Sequence, residues 1–290
     1  GFRSATYVER QAELCTIAAH NFPALDLNHI SVRNDDGVAY LEAMSPVDCI
    51  FLDPARRNEH GGKTVAISDC EPNVAELEGL LLSKANRIMI KLSPMLDLSQ
   101  ALKELPHTQE VHIISVNNEC KELLLLLGQT APEEIPVHCV NLSTKGEQEK
   151  QLFVFTREQE QHSECSYTDT LGNYLYEPNA SLLKAGAFRS IAAAYSVKKL
   201  HPNSHLYTSD TQIEGFPGRT FRIINRCSLN KKEIKENLSD LKKANITVRN
   251  FPATVAELRK RIKLAEGGDT YLFASTLNDG QKILIRCGKV

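Results

Sequence analysis

The stretch Val47-Asp48-Cys49-Ile50-Phe51-Leu52-Asp53-Pro54-Ala55-Arg56-Arg57 joins a short apolar run to a polar turn. The run is apolar on both faces, which is typical of a central strand buried within a parallel sheet. Asp53 and Pro54 follow directly, at the end where open α/β sheets bind their ligands. A carboxylate on a turn held by proline predicts a site that keeps a polar group in place, and we expect the chemistry here.

The segments around this strand predict an α/β fold. Strand patterns at 4–9, 29–33, 87–92 and 110–116 alternate with helical patterns at 10–20, 36–44, 74–83 and 97–105. The leucine-rich segment 119–127 predicts one more helix, and segments 137–142 and 151–156 predict a hairpin. Such alternation is typical of a mostly parallel, doubly wound sheet that helices cover on both faces.

The composition changes after residue 157. Residues 158–218 are predicted to form a linker with one helix over 180–195, which Asn179 would cap. Residues 219–290 follow a strand–helix–strand–helix pattern and end in two strands joined at Asp279-Gly280, a strong hairpin signal. We therefore expect residues 219–290 to form a separate small α/β domain.

The charge of the chain is unevenly distributed. Residues 219–290 hold 16 Lys and Arg against 7 Asp and Glu, a charge of +9, whereas the rest holds 18 basic and 29 acidic residues, a charge of −11. A basic domain on an acidic body favours a polyanionic partner such as nucleic acid, and a solvated lysine-rich helix surface is the alternative. The expected phosphate contacts are Lys242, Lys243, Arg259, Lys260 and Arg261.

Composition also argues against several functional classes. No apolar run approaches the roughly 20 residues that span a bilayer, so no membrane association is predicted. The eight cysteines contain no Cys-x-x-Cys pair, and the nine histidines show no metal-ligand spacing, so no metal is predicted. Cysteines scattered through apolar strand patterns are typical of reduced thiols, which indicates a cytoplasmic protein. The sequence makes no prediction of oligomeric state.

Three acids follow the first three predicted strands. Glu9 ends the first, Asp36 follows the second and Asp53 ends the third, so a doubly wound sheet would place all three along one rim. An acid at Glu9 can accept both ribose hydroxyls of a nucleoside cofactor. Asp36, or Asp35 in its place, can accept an adenine amino proton, and Asp53 would then face the reacting group.

Each of these acids also has a structural explanation. Glu9 is consistent with an exposed acid at a strand end, and Asp36 with the N-cap of the helix that follows it. Asp53 is consistent with an ion pair to Arg56 or Arg57, and these two arginines are also suited to binding phosphate or a target backbone.

Residues 4–156 resemble the class I S-adenosylmethionine (SAM)-dependent methyltransferases. The resemblance depends on Glu9, Asp36-Gly37 and Asp53-Pro54-Ala55-Arg56. The basic domain resembles the THUMP-like domain of one bacterial branch of these enzymes, over 174–188 and 231–251. The resemblance implies a Rossmann-like catalytic domain over residues 1–157 and SAM as the cofactor. THUMP domains are associated with RNA modification, so it also implies methylation of a base nitrogen in tRNA or rRNA.

The chain departs from this family in two places. The family's first strand and its glycine-rich loop, which holds the methionine part of SAM, would precede Gly1, and we expect an upstream apolar strand that ends in Asp followed by Gly-x-Gly. Methyltransferases of nucleobase amino groups usually carry Asn/Asp-Pro-Pro-Tyr/Phe, whereas Ala55 and Arg56 stand here in place of the second proline and the aromatic residue.

In the family mechanism, the acid and the first proline's carbonyl accept hydrogen bonds from the target amine and orient its lone pair toward the methyl group. Asp53 and Pro54 occupy these positions, and the guanidinium plane of Arg56 is a possible substitute for the missing aromatic stack. Lys91 ends another strand on the same rim, where it would either line the substrate side or remain a surface lysine.

Three alternatives stay open. Carbon methylation of a pyrimidine would need a cysteine nucleophile, for which Cys70 is the candidate in a loop-like setting. The chain is also consistent with a non-catalytic nucleic-acid-binding protein on a methyltransferase scaffold, or with a methyltransferase for a small molecule or a protein.

Overall fold

The structure, a computed structural model, describes residues 2–56, 66–130, 132–144 and 150–290, and of Arg56 it describes the backbone alone. The chain divides into two compact units, residues 1–109 with 124–132 and residues 110–123 with 133–290. No described helix is both long and apolar enough to cross a membrane.

The first unit alternates strands and helices largely as the sequence predicts. Its elements, of which the last two strands cross into the second unit, are β1 (Ala5–Glu9), α1 (Ala12–Ala24), β2 (Ile30–Asn34), α2 (Gly37–Ala43), β3 (Val47–Leu52), β4 (Ala55–Arg56), β5 (Cys70–Glu71), α3 (Val74–Lys84), β6 (Ala85–Leu92), α4 (Leu98–Glu104), β7 (Thr108–Val116) and β8 (Glu119–Gly128). The N-caps of α2, α3 and α4 are Asp36, Asn73 and Asp97, whose side chains accept hydrogen bonds from first-turn amides.

Parallel pairing confirms the predicted fold class. Strand β1 pairs with β2 in a two-stranded sheet, and β3 pairs with β6, with Leu52 opposite Ile90. Within the first unit the order of the larger sheet is β3-β6-β8, and β4 and β5 form a short antiparallel pair. Helix α3 packs on β6, and Leu81, Ile88 and Ile90 are fully buried in this core.

Strand β3 lies at the edge of its sheet. Among the described residues its hydrogen-bonded neighbour is β6, and the other edge has no partner there. Phe51 keeps 59% of its surface exposed and Val47 keeps 45%. The prediction of a central strand buried on both faces is therefore wrong for the described part of the chain, because its second edge and part of its apolar surface remain uncovered.

The segment 119–127, predicted to be a helix, forms most of strand β8. Leu123, Leu125 and Leu127 are fully buried, which is the period of two of a strand. Asn117 and Asn118 precede it with φ angles of 51° and 64°, which suit a tight turn between β7 and β8. The helix prediction is wrong because a run of leucines fits both the period of 3.6 of a helix and the period of two of a strand. The turn at Asn117-Asn118 favours the strand.

The second unit contains a seven-stranded sheet. Its further elements are β9 (Pro136–Leu142), β10 (Lys150–Thr156), α5 (Arg157–His162), β11 (Tyr174–Pro178), α6 (Ala180–Ala185), α7 (Phe188–Ala194), β12 (Lys198–Lys199), β13 (Tyr207–Ser209), β14 (Gly218–Cys227), α8 (Lys231–Leu238), β15 (Asn245–Arg249), α9 (Val255–Ile262), β16 (Thr270–Thr276) and β17 (Lys282–Lys289). The strand order is β12-β13-β11-β14-β17-β16-β15. Within this unit, β8, β7, β9 and β10 are also neighbours in that order, and β7 runs parallel to β9.

Residues 158–218, predicted to be a linker with one helix, contain regular structure that joins the C-terminal sheet. Strand β11 pairs along its length with β14, with Leu175 opposite Phe221. The predicted helix over 180–195 divides into α6 and α7, because Gly186 caps α6 in the left-handed region at φ 78°. Asn179 caps α6, as the sequence predicts.

The seven-stranded sheet has an apolar core on each face. On one face, Leu175, Phe221, Phe273 and Ile285 belong to one buried cluster. On the other, Leu272 and Leu284 pack with residues of α8 and α9. Alternate residues of β16 and β17 thus serve opposite faces, as the period of a strand requires.

Candidate functional site

Asp53 forms an ion pair at the carboxyl end of β3. The parallel register of β3 and β6 places Asp53 beside Lys91, and Lys91 Nζ lies 2.7 Å from Asp53 Oδ2. The Asp53 side chain is 54% exposed and that of Lys91 is 30% exposed. Lys91 therefore belongs to the candidate site, where it is the charged partner that the structure shows for Asp53. Arg57 and the side chain of Arg56 lie outside the described residues.

An exposed carboxylate beside an ammonium group suits a polar substrate. The carboxylate only accepts hydrogen bonds, so it can receive them from a target amine. A surface ion pair contributes about 0–1 kcal/mol, so a bound amine can compete with Lys91 for Asp53 at little cost. Pro54, which is half-buried, follows immediately and fixes the backbone of the turn.

The residues after Pro54 lead back to the end of β1. Ala55 is opposite Glu71 in the β4–β5 pair, and Arg10 Nη1 lies 3.0 Å from Glu71 Oε1. Arg10 directly follows Glu9, so this ion pair joins the turn after Glu9 to β5. Strand β5 pairs in turn with β4, which follows the Asp53-Pro54 turn.

Cys70 in β5 is 3% exposed, which does not suit a nucleophile that must reach a base.

Glu9 and Asp35 meet at the carboxyl end of the β1–β2 pair. The Asp35 amide donates to the Glu9 carbonyl oxygen at 3.2 Å, and the Gln11 amide donates to Glu9 Oε1 at 2.8 Å. Burial, followed by the nearby Glu9 carboxylate, raises the pKa of Tyr7. The backbone of Asp35 is therefore held beside that of Glu9 at this strand end.

Asp36 acts as the N-cap of α2, one of the two roles that the sequence leaves open. Its Oδ1 accepts hydrogen bonds from the Val38 amide at 2.9 Å and the Ala39 amide at 3.0 Å. Asp35 Oδ1 accepts from the Asp36 amide at 2.8 Å, and both acids are exposed. One carboxylate oxygen of each acid is therefore bound to the backbone, by two amides at Asp36 and by one amide at Asp35.

The basic residues of the C-terminal region differ in their surroundings. Lys242, Lys243 and Lys260 are exposed. Arg259 is only 20% exposed, and its Nη1 donates to the Ala244 carbonyl oxygen at 3.2 Å. Arg261 is exposed, but its Nη2 donates to the Leu229 carbonyl oxygen at 2.9 Å. The two arginines therefore contribute to the fold, whereas the lysines present their charge to solvent.

A buried carboxylate that the sequence analysis misses binds two arginines. Glu177 on β11 is 1% exposed and accepts from Arg219 and Arg249, with the Arg219 Nε at 2.9 Å and the Arg249 Nη2 at 2.9 Å. The two guanidinium side chains remain 35% and 37% exposed. The partners are 42 and 72 residues away from Glu177, so no local sequence signal joins them.

Comparisons with known proteins identify related families and a related structure. A ferredoxin-like domain family matches residues 174–217, and a THUMP domain-like family matches residues 218–289. The chain is 38% identical to a crystal structure described as a "putative methyltransferase from Porphyromonas gingivalis W83", with a TM-score of 0.89, over 99% of this chain and 72% of that one. A search of curated proteins finds no match.

The α/β fold, together with this neighbour, defines a methyltransferase. The chain belongs to the family of methyltransferases that carry a THUMP-like domain at the C-terminus.

Proposed function

We propose that this methyltransferase uses SAM to methylate a base nitrogen in tRNA or rRNA, with Asp53 and Pro54 orienting the target amine. The observation that carries the proposal is the exposed Asp53 carboxylate, held 2.7 Å from Lys91 at the end of a parallel strand. In a methyltransferase of this fold class, that rim is where ligands bind.

The acids at the β1–β2 end suit the nucleoside part of SAM. Ribose hydroxyls and the adenine amino group are hydrogen-bond donors, and Glu9 and Asp35 supply carboxylate acceptors on adjacent strand ends. The described residues do not include a glycine-rich loop for the methionine part.

SAM, when bound, supplies the methyl group; the residues of the chain orient the acceptor. The Asp53 carboxylate and the Pro54 carbonyl oxygen accept hydrogen bonds from the two amine protons, so the nitrogen lone pair points in one direction. Lys91 keeps the carboxylate in place until the amine binds. Arg56 and Arg57 are proposed to contact the base and its backbone.

The THUMP-like domain supports RNA as the substrate. It carries the exposed Lys242, Lys243 and Lys260, which suit phosphate contacts. An RNA held there would present its target to a catalytic domain that lacks the usual aromatic beside the Asp-Pro turn. Base stacking on an aromatic residue contributes about 1–3 kcal/mol, so its loss increases the share of binding that backbone contacts must supply.

The test is transfer of labelled methyl groups from SAM to total RNA of a strain that lacks the protein, with the full natural chain as enzyme. We expect label to enter RNA, and Asp53→Ala to reduce the rate by about 100-fold, the scale of losing orientation in an active site. Asp48→Ala is the matched control, because Asp48 is an exposed acid of the same strand.

Three results would overturn the proposal. Equal labelling by the wild-type protein and Asp53→Ala would remove Asp53 from the mechanism. Label that enters protein or a small molecule but not RNA would replace the substrate, and folded protein that does not bind SAM in calorimetry would reject the enzymatic function.

A further inference from the structure

Two histidines and a glutamate meet on one face of the strands β7 and β9. Glu110 and His112 are two residues apart on β7, and His138 is opposite His112 in the parallel register with β9. Glu110 Oε2 lies 3.1 Å from His112 Nε2 and 3.9 Å from His138 Nε2. Both imidazoles thus direct a nitrogen toward the same carboxylate oxygen.

We propose that Glu110, His112 and His138 bind one divalent transition-metal ion, with Zn²⁺ as the best-suited ion. Residues two apart on a strand share a face, and the residue opposite on the neighbouring strand completes a triangle of donors. One potential donor atom from each of the three residues lies within 4.8 Å of the others. Two imidazoles and one carboxylate form a donor set of open zinc sites.

The distances fit an ion after a small adjustment. Zinc binds imidazole nitrogen and carboxylate oxygen at about 2.0–2.2 Å, which places two ligand atoms roughly 3.3 Å apart in a tetrahedral site. The Glu110–His112 separation of 3.1 Å already meets this, whereas His138 at 3.9 Å must approach by about half an ångström. The two rings are stacked, with centroids 4.4 Å apart and planes 9° apart, so they must also turn to point both lone pairs at one ion.

The surroundings of the three side chains leave room for further ligands. The side chains of Glu110, His112 and His138 remain 44%, 27% and 26% exposed. A bound ion would therefore keep open positions for water or a small anionic ligand, as open sites do.

Zinc binding to the full chain, first stripped with a chelator, tests the site by calorimetry and by metal analysis after dialysis. We expect one additional ion per chain in the wild-type protein, lost in Glu110→Gln/His112→Gln/His138→Gln. The eight cysteines are unchanged in that variant, so it separates this site from binding by thiols. His107→Gln is the matched control, because His107 Nδ1 also lies near a carboxylate, 3.3 Å from Glu78.

Cobalt substitution gives a second readout that does not depend on enzymatic activity. Visible absorption of bound Co²⁺ should appear in the wild-type protein and in His107→Gln, and should be absent from the triple variant. We also expect affinity to fall as the pH falls, because protons compete for the imidazoles. Equal zinc content in the wild-type protein and a folded triple variant, or no zinc bound by the wild-type protein at sub-millimolar concentration, would overturn the proposal.

Discussion

At the scale of single residues, Glu177 is a buried charge that depends on two partners. Its carboxylate is 1% exposed and accepts from Arg219 and Arg249. We expect Glu177→Gln to lower the free energy of unfolding by about 1–3 kcal/mol, because charge-assisted hydrogen bonds to two partly exposed guanidinium groups are lost. Urea unfolding measures this, and the exposed Glu214→Gln should change it by less than about 0.5 kcal/mol. Equal losses in the two variants would contradict a special role for Glu177.

His205 should make the protein sensitive to acid. Burial, followed by the charges of Lys199 and Arg249, lowers the pKa of His205 from 6.5 to about 4. The folded state thus binds fewer protons than the unfolded state between these pH values, so stability is lost as the pH falls from about 6.5 to about 4. The slope from this group is at most about 1.4 kcal/mol per pH unit.

His205→Phe tests this linkage. His205 stacks on Phe188 with ring centroids 3.6 Å apart, and its buried Nδ1 has no hydrogen-bond partner among the described residues, so an apolar ring suits the position. We expect the stability of the variant, measured by urea unfolding from pH 7 to 4, to fall less steeply than that of the wild-type protein. His20→Phe, at an exposed position, should follow the wild-type curve. Parallel curves for His205→Phe and the wild-type protein would contradict the linkage.

At the scale of elements, the turn at Asn117-Asn118 determines the strand that follows. Asn117 has φ 51°, a left-handed conformation that costs a β-branched residue about 1–2 kcal/mol. Its side chain also bonds with Thr144, and both Asn117→Gly and Asn117→Val remove those hydrogen bonds. We expect the Asn117→Val variant to be less stable than the Asn117→Gly variant by about 1–2 kcal/mol in urea unfolding, because glycine adopts φ > 0 readily. Equal stability of the two variants would show that the turn does not hold this conformation.

Elements with strong local signals could be predicted, and contacts between distant elements could not. Asp36 and Asn179 begin helices where the sequence places their N-caps, because a cap depends only on neighbouring residues. The Asp53–Lys91 pair instead depends on the register of β3 against β6, which no local pattern specifies. Glu110, His112 and His138 escape detection by spacing for the same reason, since a sheet brings them together.

At the scale of the whole molecule, the C-terminal sheet does not begin where the charge changes. Leu175 on β11 is opposite Phe221 on β14, and both are fully buried in one cluster. The matches to a ferredoxin-like domain at 174–217 and a THUMP-like domain at 218–289 therefore describe segments that share one sheet. The sequence prediction of a boundary near residue 219 follows the basic residues, which lie on the surface, whereas the core depends on apolar residues on both sides of it.

The uneven charge of the chain leads to a prediction about RNA affinity and salt. If Lys242, Lys243 and Lys260 contact phosphates, each contact releases counterions, and the slope of log affinity against log salt should fall by about 0.7–0.9 with each substitution to glutamine. Fluorescence anisotropy of labelled tRNA across a salt series measures this slope. Lys103→Gln, an exposed lysine of the first unit, is the matched control and should keep the wild-type slope. If all three lysine variants keep the slope of the Lys103→Gln control, the RNA binds on another surface. If the affinity of the wild-type protein is independent of salt, RNA is not the substrate.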